Sequence, residues 1–238
     1  MDQARIIPIA TGDEIAEASD LYRRVFGYVD PAAALNTRLL LSMMRYGGLC
    51  LGARDDHDRL VAFSYGWTGL DGGDPFHYSQ STVVDQSWQG RGLGRAMKYA
   101  QRDEVLARGM QQMRWSYDPM LSRNGHFNLD VLGGRSHEVV PDLLGTGEHR
   151  VIIRWDLTAT APVSDPIALP RRATVGEAIQ IDEDTVALII PATNPHDPEL
   201  ARQIVDHLIR IVAAGHELTS CRRIDTDLSA YLLTRSAA

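Results

Sequence analysis

The sequence has almost no lysine, and it lacks any surplus of positive charge. Of the 24 basic residues in the 238-residue chain only Lys98 is a lysine, and 31 acidic residues bring the formal net charge to −7. Proteins that coat nucleic acids need a broad positive field. The charge balance therefore argues against a nucleic-acid partner and indicates that any bound anion is held at a local site.

Cysteine is nearly absent as well. Cys50 and Cys221 stand alone, without a CxxC pair or a matching pair of histidines. This spacing argues against a zinc site and favours two free buried thiols. We expect no metal, and we expect the reducing environment of the cytoplasm.

Long apolar runs are also missing. No run approaches the roughly 20 residues that cross a bilayer. Residues 1–11 lack the basic, apolar and small-residue blocks of a signal peptide. The sequence therefore predicts a protein without a membrane partner.

Residues 1–157 alternate between strand and helix patterns. Thr11 and Glu14 have the spacing of a capping box, and helical periodicity runs from Ile15 until Gly27 ends it. Pro31 suits the first turn of a second helix. The other predicted elements are a first strand, two strands of a hairpin, a third β-run, a helix, a strand, a shorter helix and two final strands, at 5–9, 49–53, 60–67, 76–84, 93–108, 110–117, 122–132, 137–144 and 151–157.

A change of composition follows the last of these strands. Residues 158–172 are rich in Thr, Ala and Pro, with prolines at 162, 166 and 170, which is typical of a linker. A strand, a helix and two strands are then predicted at 185–191, 197–214, 216–222 and 228–233. We therefore expect a domain over 1–157, a Pro-rich linker over 158–184 and a C-terminal β-α-β-β extension over 185–238.

The most informative segment joins the predicted strand at 76–84 to the predicted helix at 93–108. It reads QGRGLG from Gln89 to Gly94. Glycines allow tight turns that bring N–H groups close to a ligand, and the start of a helix favours an anion. Arg91, Arg95, Lys98 and Arg102 follow at helical spacing and share one face. The segment predicts a phosphate cradle; the alternative is a Gly-rich turn before a surface helix.

Two better-known glycine motifs do not fit this segment. A dinucleotide-binding GxGxxG has another glycine spacing and an acidic residue about 20 residues later. A P-loop needs a Gly-Lys pair, which the chain lacks. The pattern that fits is Gln-x-x-Gly-x-Gly after a strand.

This pattern resembles the pyrophosphate-binding motif of the GNAT acyltransferase superfamily, whose members use acyl-coenzyme A. The order of predicted elements over residues 1–157 is similar to the GNAT order. The chain also resembles the GNAT acetyltransferases found beside N-acylamino-acid racemases. That closer likeness rests on QGRGLG, on WSYDP (Trp115 to Pro119), on NGHFN (Asn124 to Asn128) with Leu132-Gly133, and on the C-terminal extension.

The resemblance implies an α/β fold with an α+β mixed sheet, the GNAT-like acyl-CoA N-acyltransferase fold, and no divalent metal. It implies that Val83 and Val84 end a strand that diverges from the strand of Trp115 to Tyr117, with the acyl-pantetheine between them. The residues implied to bind the cofactor are Val83, Val84, Gln89, Gly90, Arg91, Gly92, Leu93, Gly94, Arg95, and Ser122 or Asn124. The backbone N–H near Val84 is implied to stabilise the oxyanion.

The catalytic residues are less defined by the motifs. Many GNAT proteins carry a tyrosine general acid near the position of Leu129, and this chain has none there. Tyr117, water or no acid at all could serve the leaving thiolate. Asp118, Asp85, His77 and His126 are candidate bases for deprotonating an amine. Asp118 could equally be a turn residue before Pro119, Asp85 suits a loop-positioning role, and His126 suits a structural role.

We therefore hypothesise an enzyme, an N-acyltransferase that transfers an acetyl or succinyl group from acyl-CoA to a small primary amine such as an amino acid. The alternative from another class is a non-catalytic acyl-CoA-binding or sensor protein. A nucleotide-binding protein using the same loop is a further rival. Exchange of the C-terminal extension between two copies would make the protein a homodimer.

Overall fold

A computed structural model describes residues 4–28, 35–145, 147–159, 169 and 173–235. These residues fall into two compact units, one within Met1–Arg114 and the other within Trp115–Ala238. The division lies inside a single strand, which begins in the first unit and ends in the second.

The first unit is built on a mixed sheet. Its elements are β1 (Arg5–Pro8), α1 (Gly12–Phe26), α2 (Thr37–Arg45), β2 (Leu49–Arg54), β3 (Leu60–Asp71), β4 (Asp74–Val84), a 3-10 turn (Gln86–Trp88), α3 (Leu93–Ala107) and the start of β5 (Gln112–Tyr117). Strands β1 to β4 pair antiparallel in chain order, whereas β4 and β5 pair in parallel. The mixed α/β class predicted from the sequence is confirmed.

The first helix begins at the predicted capping box. Thr11 Oγ1 accepts a bond from the Glu14 N–H at 3.3 Å, and the Glu14 carboxylate accepts one from the Thr11 N–H at 2.9 Å. The helix ends at Gly27, whose φ of 69° is the left-handed conformation that glycine adopts freely. Pro31, expected to start the second helix, lies outside the described residues.

One face of the sheet packs against α1 and α2. Their apolar side chains and those of β2, β3 and β4 form one core cluster, which includes Ile15, Leu21, Leu40, Phe63 and Val83. Burial of this apolar surface is the main stabilising contribution to the unit.

Strand β4 contains a bulge that changes which residues face α3. Tyr65 and Gly66 are consecutive in β3, but they pair with Ser81 and Ser79, which leaves Gln80 as an extra residue. Before the bulge, His77 and Ser79 face α3. After the bulge, Val84 faces α3, because a Cβ on Gly94 of α3 would lie 3.9 Å from the Val84 Cγ2 methyl group.

The second unit contains a second, antiparallel sheet. Its elements are the end of β5, α4 (Ser122–His126), a π-helical turn (Phe127–Val131), β6 (Val139–Val140), β7 (Arg150–Asp156), β8 (Ala178–Gln180), β9 (Thr185–Pro191), α5 (Pro198–Ala213), β10 (His216–Arg223) and β11 (Leu228–Arg235). The sheet order is β10-β11-β9-β8. The predicted β-α-β-β order of the extension is confirmed as β9-α5-β10-β11.

Two predicted elements of this unit differ in the structure. The helix expected over 122–132 changes to a π-helical turn at Phe127, where the Leu132 N–H donates to the Phe127 carbonyl at 3.0 Å. The strand expected over 137–144 is only Val139–Val140. Pro141 has no N–H for a sheet, and Asp142 has a φ of 48°, so the chain turns there.

The segment predicted to be a linker includes a strand. β8 pairs antiparallel with β9 through Ala178, Ile179 and Gln180. Prolines 162, 166 and 170, on which the linker prediction rests, lie outside the described residues. Across the described ranges, no helix is both long and apolar enough to cross a membrane.

Candidate functional site

The glycine segment forms a loop that β4 and a short turn hold in place. Asp85 follows β4 and accepts bonds from the N–H and hydroxyl of Ser87, at 3.0 and 2.6 Å. These bonds, the one to the Ser87 hydroxyl first, lower the pKa of Asp85. The Gln89 side-chain amide donates to the Val84 carbonyl at 3.1 Å, which ties the loop to the end of the strand.

The two glycines of this loop adopt conformations that other residues avoid. Gly90 has a φ of 75° and Gly92 a φ of 83°. A Cβ at either position would meet no atom within 4 Å, so the space beside the loop is open. The glycines are therefore required by backbone conformation and not by packing within the protein.

Helix α3 starts directly behind these glycines, and its start is uncapped. Gly92 is the N-cap residue and has no side chain to accept a bond, and the first turn contains no acidic residue. The first N–H groups of a helix have no acceptor within it. They give this end a partial positive charge, which favours an anion.

Arginines border the loop. The Arg91 guanidinium lies 5.4 Å from the ring centre of Trp88, and the Arg95 guanidinium lies 5.3 Å from that of Tyr99. Both arginine side chains are exposed. The loop, the helix start and these cations have the features of a pyrophosphate site.

Lys98 differs from the arginines with which the sequence groups it. On the helix, Lys98 is only about 60° from Arg95 and about 40° from Arg102. The residue is nevertheless only 5% exposed. Its Nζ donates to Ser79 Oγ at 2.8 Å, and burial lowers the pKa of Lys98 to about 7. It lies at the edge of the buried face of α3, so it neither faces solvent nor extends the charged stripe.

Lys98 is one end of a buried polar chain beneath β4. The Ser79 hydroxyl donates to Gln101 Oε1 at 2.9 Å, and the Gln101 amide nitrogen lies 3.1 Å from His77 Nε2. Burial, with the nearby Lys98 as a smaller cause, lowers the pKa of His77 to about 3. His77 is therefore neutral at physiological pH. Two features of the sequence could have indicated this hydrogen-bonded chain. They are the lone lysine within a helix and the alternating polar residues His77 and Ser79 on β4.

Strand β4 leaves its parallel partner early. The described pairing with β5 covers only His77 with Met113 and Tyr78 with Arg114. The Asp85 N–H donates to the Val61 carbonyl at 2.8 Å, so Val84, one residue earlier, belongs to a pair that is not hydrogen-bonded. The Val84 N–H therefore points away from β3, as an oxyanion donor at this strand requires.

Four of the predicted site residues lie in the second unit, and the structure shows the surroundings of each. Tyr117 is buried, which raises its pKa, and its hydroxyl donates to that of Tyr231 at 3.1 Å. Asp118 accepts a bond from the Met120 N–H at 2.8 Å and so forms a turn. The Ser122 hydroxyl donates to the Ala192 carbonyl at 2.7 Å, and Asn124 is exposed.

Two further positions bear on the chemistry of the second unit. Leu129, at the place where many GNAT proteins carry a tyrosine, is buried. His126 Nδ1 lies 3.0 Å from the Cys221 carbonyl and 3.3 Å from the Asp130 carboxylate, contacts that suit a structural histidine. Among the residues that the structure describes, no cluster of three or more His, Cys, Asp or Glu side chains could hold a metal ion.

No family model and no curated protein sequence matches the chain. Solved structures do share its fold. A GNAT-family protein from Desulfovibrio desulfuricans matches with a TM-score of 0.55 at 14% identity, over 66% of this chain and 100% of that one. The ribosomal-protein-S18-alanine N-acetyltransferase from Escherichia coli matches with a TM-score of 0.54 at 16% identity, over 68% and 99%.

A third structure, the NatC complex bound to Gag peptide and CoA, has a TM-score of 0.54 at 11% identity and covers 66% of this chain and 99% of that one. At these identities the likeness concerns the fold. The chain is an α/β protein with a mixed sheet, and its fold is that of the GNAT acetyltransferases.

Proposed function

We propose that this protein is an acyl-CoA-dependent N-acyltransferase that transfers an acetyl or succinyl group directly to a small primary amine, with amino acids among the candidate acceptors. One observation carries the proposal: the uncapped start of α3 lies behind two glycines with positive φ, next to open space. The fold shared with acetyltransferases, one of them solved with CoA, supports the same function.

The loop suits the pyrophosphate of CoA. Gln89 and Gly90 shape the turn, and the N–H groups of Arg91, Gly92, Leu93, Gly94 and Arg95 would donate to phosphate oxygens. The guanidinium groups of Arg91 and Arg95 supply charge without a metal. Ser122 and Asn124 of the second unit are proposed partners of the pantetheine or adenosine arm.

The free edge of β4 suits the thioester. The pantetheine arm would lie along the edge from Ser79 to Val84, with Val83 and Val84 at its end. The Val84 N–H would donate to the oxygen that becomes negative when the amine attacks the carbonyl.

Asp118 is our first candidate for the base that deprotonates the amine. Its side chain is half-buried, and one of its two oxygens accepts the bond from the Met120 N–H. The other oxygen remains available as an acceptor. His77 and Tyr117 come second, because both are buried and their polar groups contact Gln101 and Tyr231. The leaving thiolate would need no acid from the protein near neutral pH.

An acyl-CoA sensor without catalysis is the second candidate function. The hydroxyl of Tyr117 is engaged with Tyr231, and Leu129 stands where an acid would be expected. Both observations favour a protein that keeps the phosphate cradle and lacks a proton donor.

Three further expectations follow from the resemblance and the composition. We propose that the protein belongs with the acetyltransferases found beside N-acylamino-acid racemases. We propose a cytoplasmic location and a homodimer in which the extension is exchanged. Neither a nucleic acid nor a membrane is a proposed partner.

The substitution Gly92→Asp tests the cradle. A carboxylate at the helix start repels phosphate, so we expect CoA affinity to fall by at least about a hundredfold in calorimetric titration. Gly109→Asp is the matched control, because Gly109 has a φ of 79° and equally open surroundings at the other end of α3. It should bind CoA normally. Equal affinity in the two variants would contradict the cradle, as would binding of ATP but not CoA by the unaltered protein.

A thiol-release assay separates the enzyme from the sensor. Acetyl-CoA and succinyl-CoA are each offered with a panel of primary amines, and free CoA thiol is measured. Release that depends on an amine supports the enzyme. Tight CoA binding with no release on any acceptor supports the sensor.

A further inference from the structure

A second concave surface in the first unit has a different chemistry. A cavity of about 680 Å³ lies between α2 and the face of β3 and β4 that packs toward it. Its walls are mainly apolar or aromatic; they include Leu39, Leu40, Met43, Tyr65, Trp67 and Gln80.

No charged side chain belongs to the described lining of this cavity. Arg38 and Arg45 are on α2 but are not part of its walls. Burial raises the pKa of Tyr65 to about 12, so its hydroxyl stays neutral. The polar side-chain groups of the walls are hydroxyls, amides and the Trp67 indole N–H, which hydrogen-bond without balancing a charge.

The aromatic walls are held in place by neighbouring rings. The Tyr65 ring stacks with that of Phe63 at a centroid distance of 6.1 Å, and the Trp67 ring lies 5.2 Å from that of Tyr78. Because each of these rings packs against a neighbouring ring on the same face of the sheet, the walls of the cavity are ordered by contacts within the protein.

The cavity reaches β4 at the bulge. Gln80, the extra residue of the bulge between Ser79 and Ser81, lines the cavity. The free edge of β4 on which we place the thioester begins at Ser79. A molecule in the cavity would therefore lie beside the same free strand edge, Ser79 to Val84, along which we place the pantetheine arm and the acyl group.

We propose that this cavity holds the acceptor, and that the acceptor is a primary monoamine with an aromatic or branched aliphatic group and no carboxylate. This inference rests on the proposed N-acyltransferase function and narrows its substrate class. Arylalkylamines and the amides or esters of apolar amino acids belong to this class.

The absence of charge in the described walls gives the selectivity. A free amino acid would bring its carboxylate beside apolar walls whose described residues include no cation to pair with it, which is costly. A diamine or polyamine would bring a second ammonium group, and the described walls include no carboxylate to receive it. An apolar monoamine buries its side group favourably and presents only the reacting nitrogen.

Three probes test this selectivity: phenethylamine, phenylalanine and the diamine cadaverine. We expect kcat/KM with acetyl-CoA to be at least about tenfold higher for phenethylamine than for either of the others. Calorimetric binding of the same three amines without acyl-CoA gives a readout that does not need turnover.

The substitution Leu39→Arg adds the missing cation. Leu39 is 56% exposed, so the helix should tolerate the change. We expect the preference for phenethylamine over phenylalanine to fall by at least about tenfold. Comparing this ratio between variants cancels the different basicity of the two amines. Leu39→Gln controls for polarity, and Leu70→Arg, at a leucine 72% exposed and outside the cavity, controls for charge. Both should keep the preference.

The outcomes separate this inference from the function on which it rests. Selective binding of phenethylamine that Leu39→Arg alters, without thiol release, would support the cavity and overturn the enzyme. Thiol release with equal use of phenethylamine and phenylalanine, or with cadaverine preferred, would support the enzyme and overturn the cavity. Neither binding nor release would overturn both.

Discussion

Lys98 shows how a single buried charge couples this fold to pH. The unfolded chain has a lysine pKa near 10.5, whereas burial lowers the pKa of Lys98 to about 7 in the folded protein. Between these values the unfolded state binds more protons than the folded state. The free energy of unfolding therefore rises as pH increases from about 7 toward 10.

Lys98→Met should remove this pH dependence. We expect the free energy of unfolding of the unaltered protein to rise by up to about 1.4 kcal/mol per pH unit more than that of the variant. Urea denaturation at pH 7, 8 and 9 measures the two slopes. The exposed Arg95→Met on the same helix serves as control and should keep the slope of the unaltered protein. Parallel slopes for Lys98→Met and the unaltered protein would show that Lys98 is not titrating in this range.

Individual residues differ in how far the sequence predicts them. The Thr11–Glu14 box and the glycines of the loop follow from local backbone rules, and the structure shows both in the predicted conformation. The buried orientation of the Lys98 side chain does not follow from such rules. It depends on the hydrogen bond to Ser79, which lies 19 residues earlier on another element.

Among the elements, α4 is fixed by its contact with β10 and β11. A Cβ on Gly125 would lie 2.9 Å from the Tyr231 ring and 3.0 Å from Cys221 Sγ. Gly125 thus lets the short helix approach the second sheet closely, a packing role within the NGHFN motif.

Gly125→Ala should therefore destabilise the protein. We expect a loss of about 1–3 kcal/mol, since the added methyl group overpacks a buried contact. Gly12→Ala is a matched control in α1, where a Cβ meets nothing within 4 Å, and it should be neutral or slightly stabilising. Thermal and urea denaturation of both variants measure the difference. A Gly125→Ala protein as stable as the control would contradict the contact.

The predicted elements were correct where the pattern was long. The strand Thr185–Pro191 has its predicted bounds, and α5 differs by one residue at each end. β8 was missed because three residues paired at a sheet edge carry no readable periodicity. The π-helical turn was missed because its sequence has the same apolar spacing as an ordinary helix.

At the level of the whole molecule, the C-terminal extension belongs to the second unit. The Ser122 hydroxyl bonds to the Ala192 carbonyl, and the Tyr231 hydroxyl donates to the Pro119 carbonyl at 2.8 Å. Ser136 and Leu218 exchange two backbone bonds of 2.6 and 3.1 Å. The extension therefore completes a core that begins before it.

A chain ending after residue 157 should not complete the core of its second unit. Its remaining part of the second unit would expose the apolar surface that β9, β10 and β11 cover. We expect aggregation or loss of the cooperative thermal transition, measured by circular dichroism and size exclusion. A chain ending after Arg235 is the control and should melt like the full chain. A cooperative transition in the shorter protein would show that residues 1–157 form an independent domain, as their pattern predicts.

The two candidate sites also differ in how far the sequence predicts them. The proposed phosphate cradle lies in one continuous segment, so the sequence predicts it. The proposed acceptor cavity joins side chains of α2, β3 and β4, and its chemistry depends on charges that are absent from its described walls. A spacing pattern records residues that are present, so it could not predict this cavity.

The burial of the only lysine has a consequence for the proposed acyl-CoA chemistry. Acyl-CoA slowly acylates exposed lysine amines without any enzyme, and neutral amines react fastest. Lys98 has the low pKa of a reactive amine, but it is enclosed beneath β4, and the other 23 of the 24 lysine and arginine side chains are arginines. The protein is thus built to resist modification of its own lysine by its proposed donor.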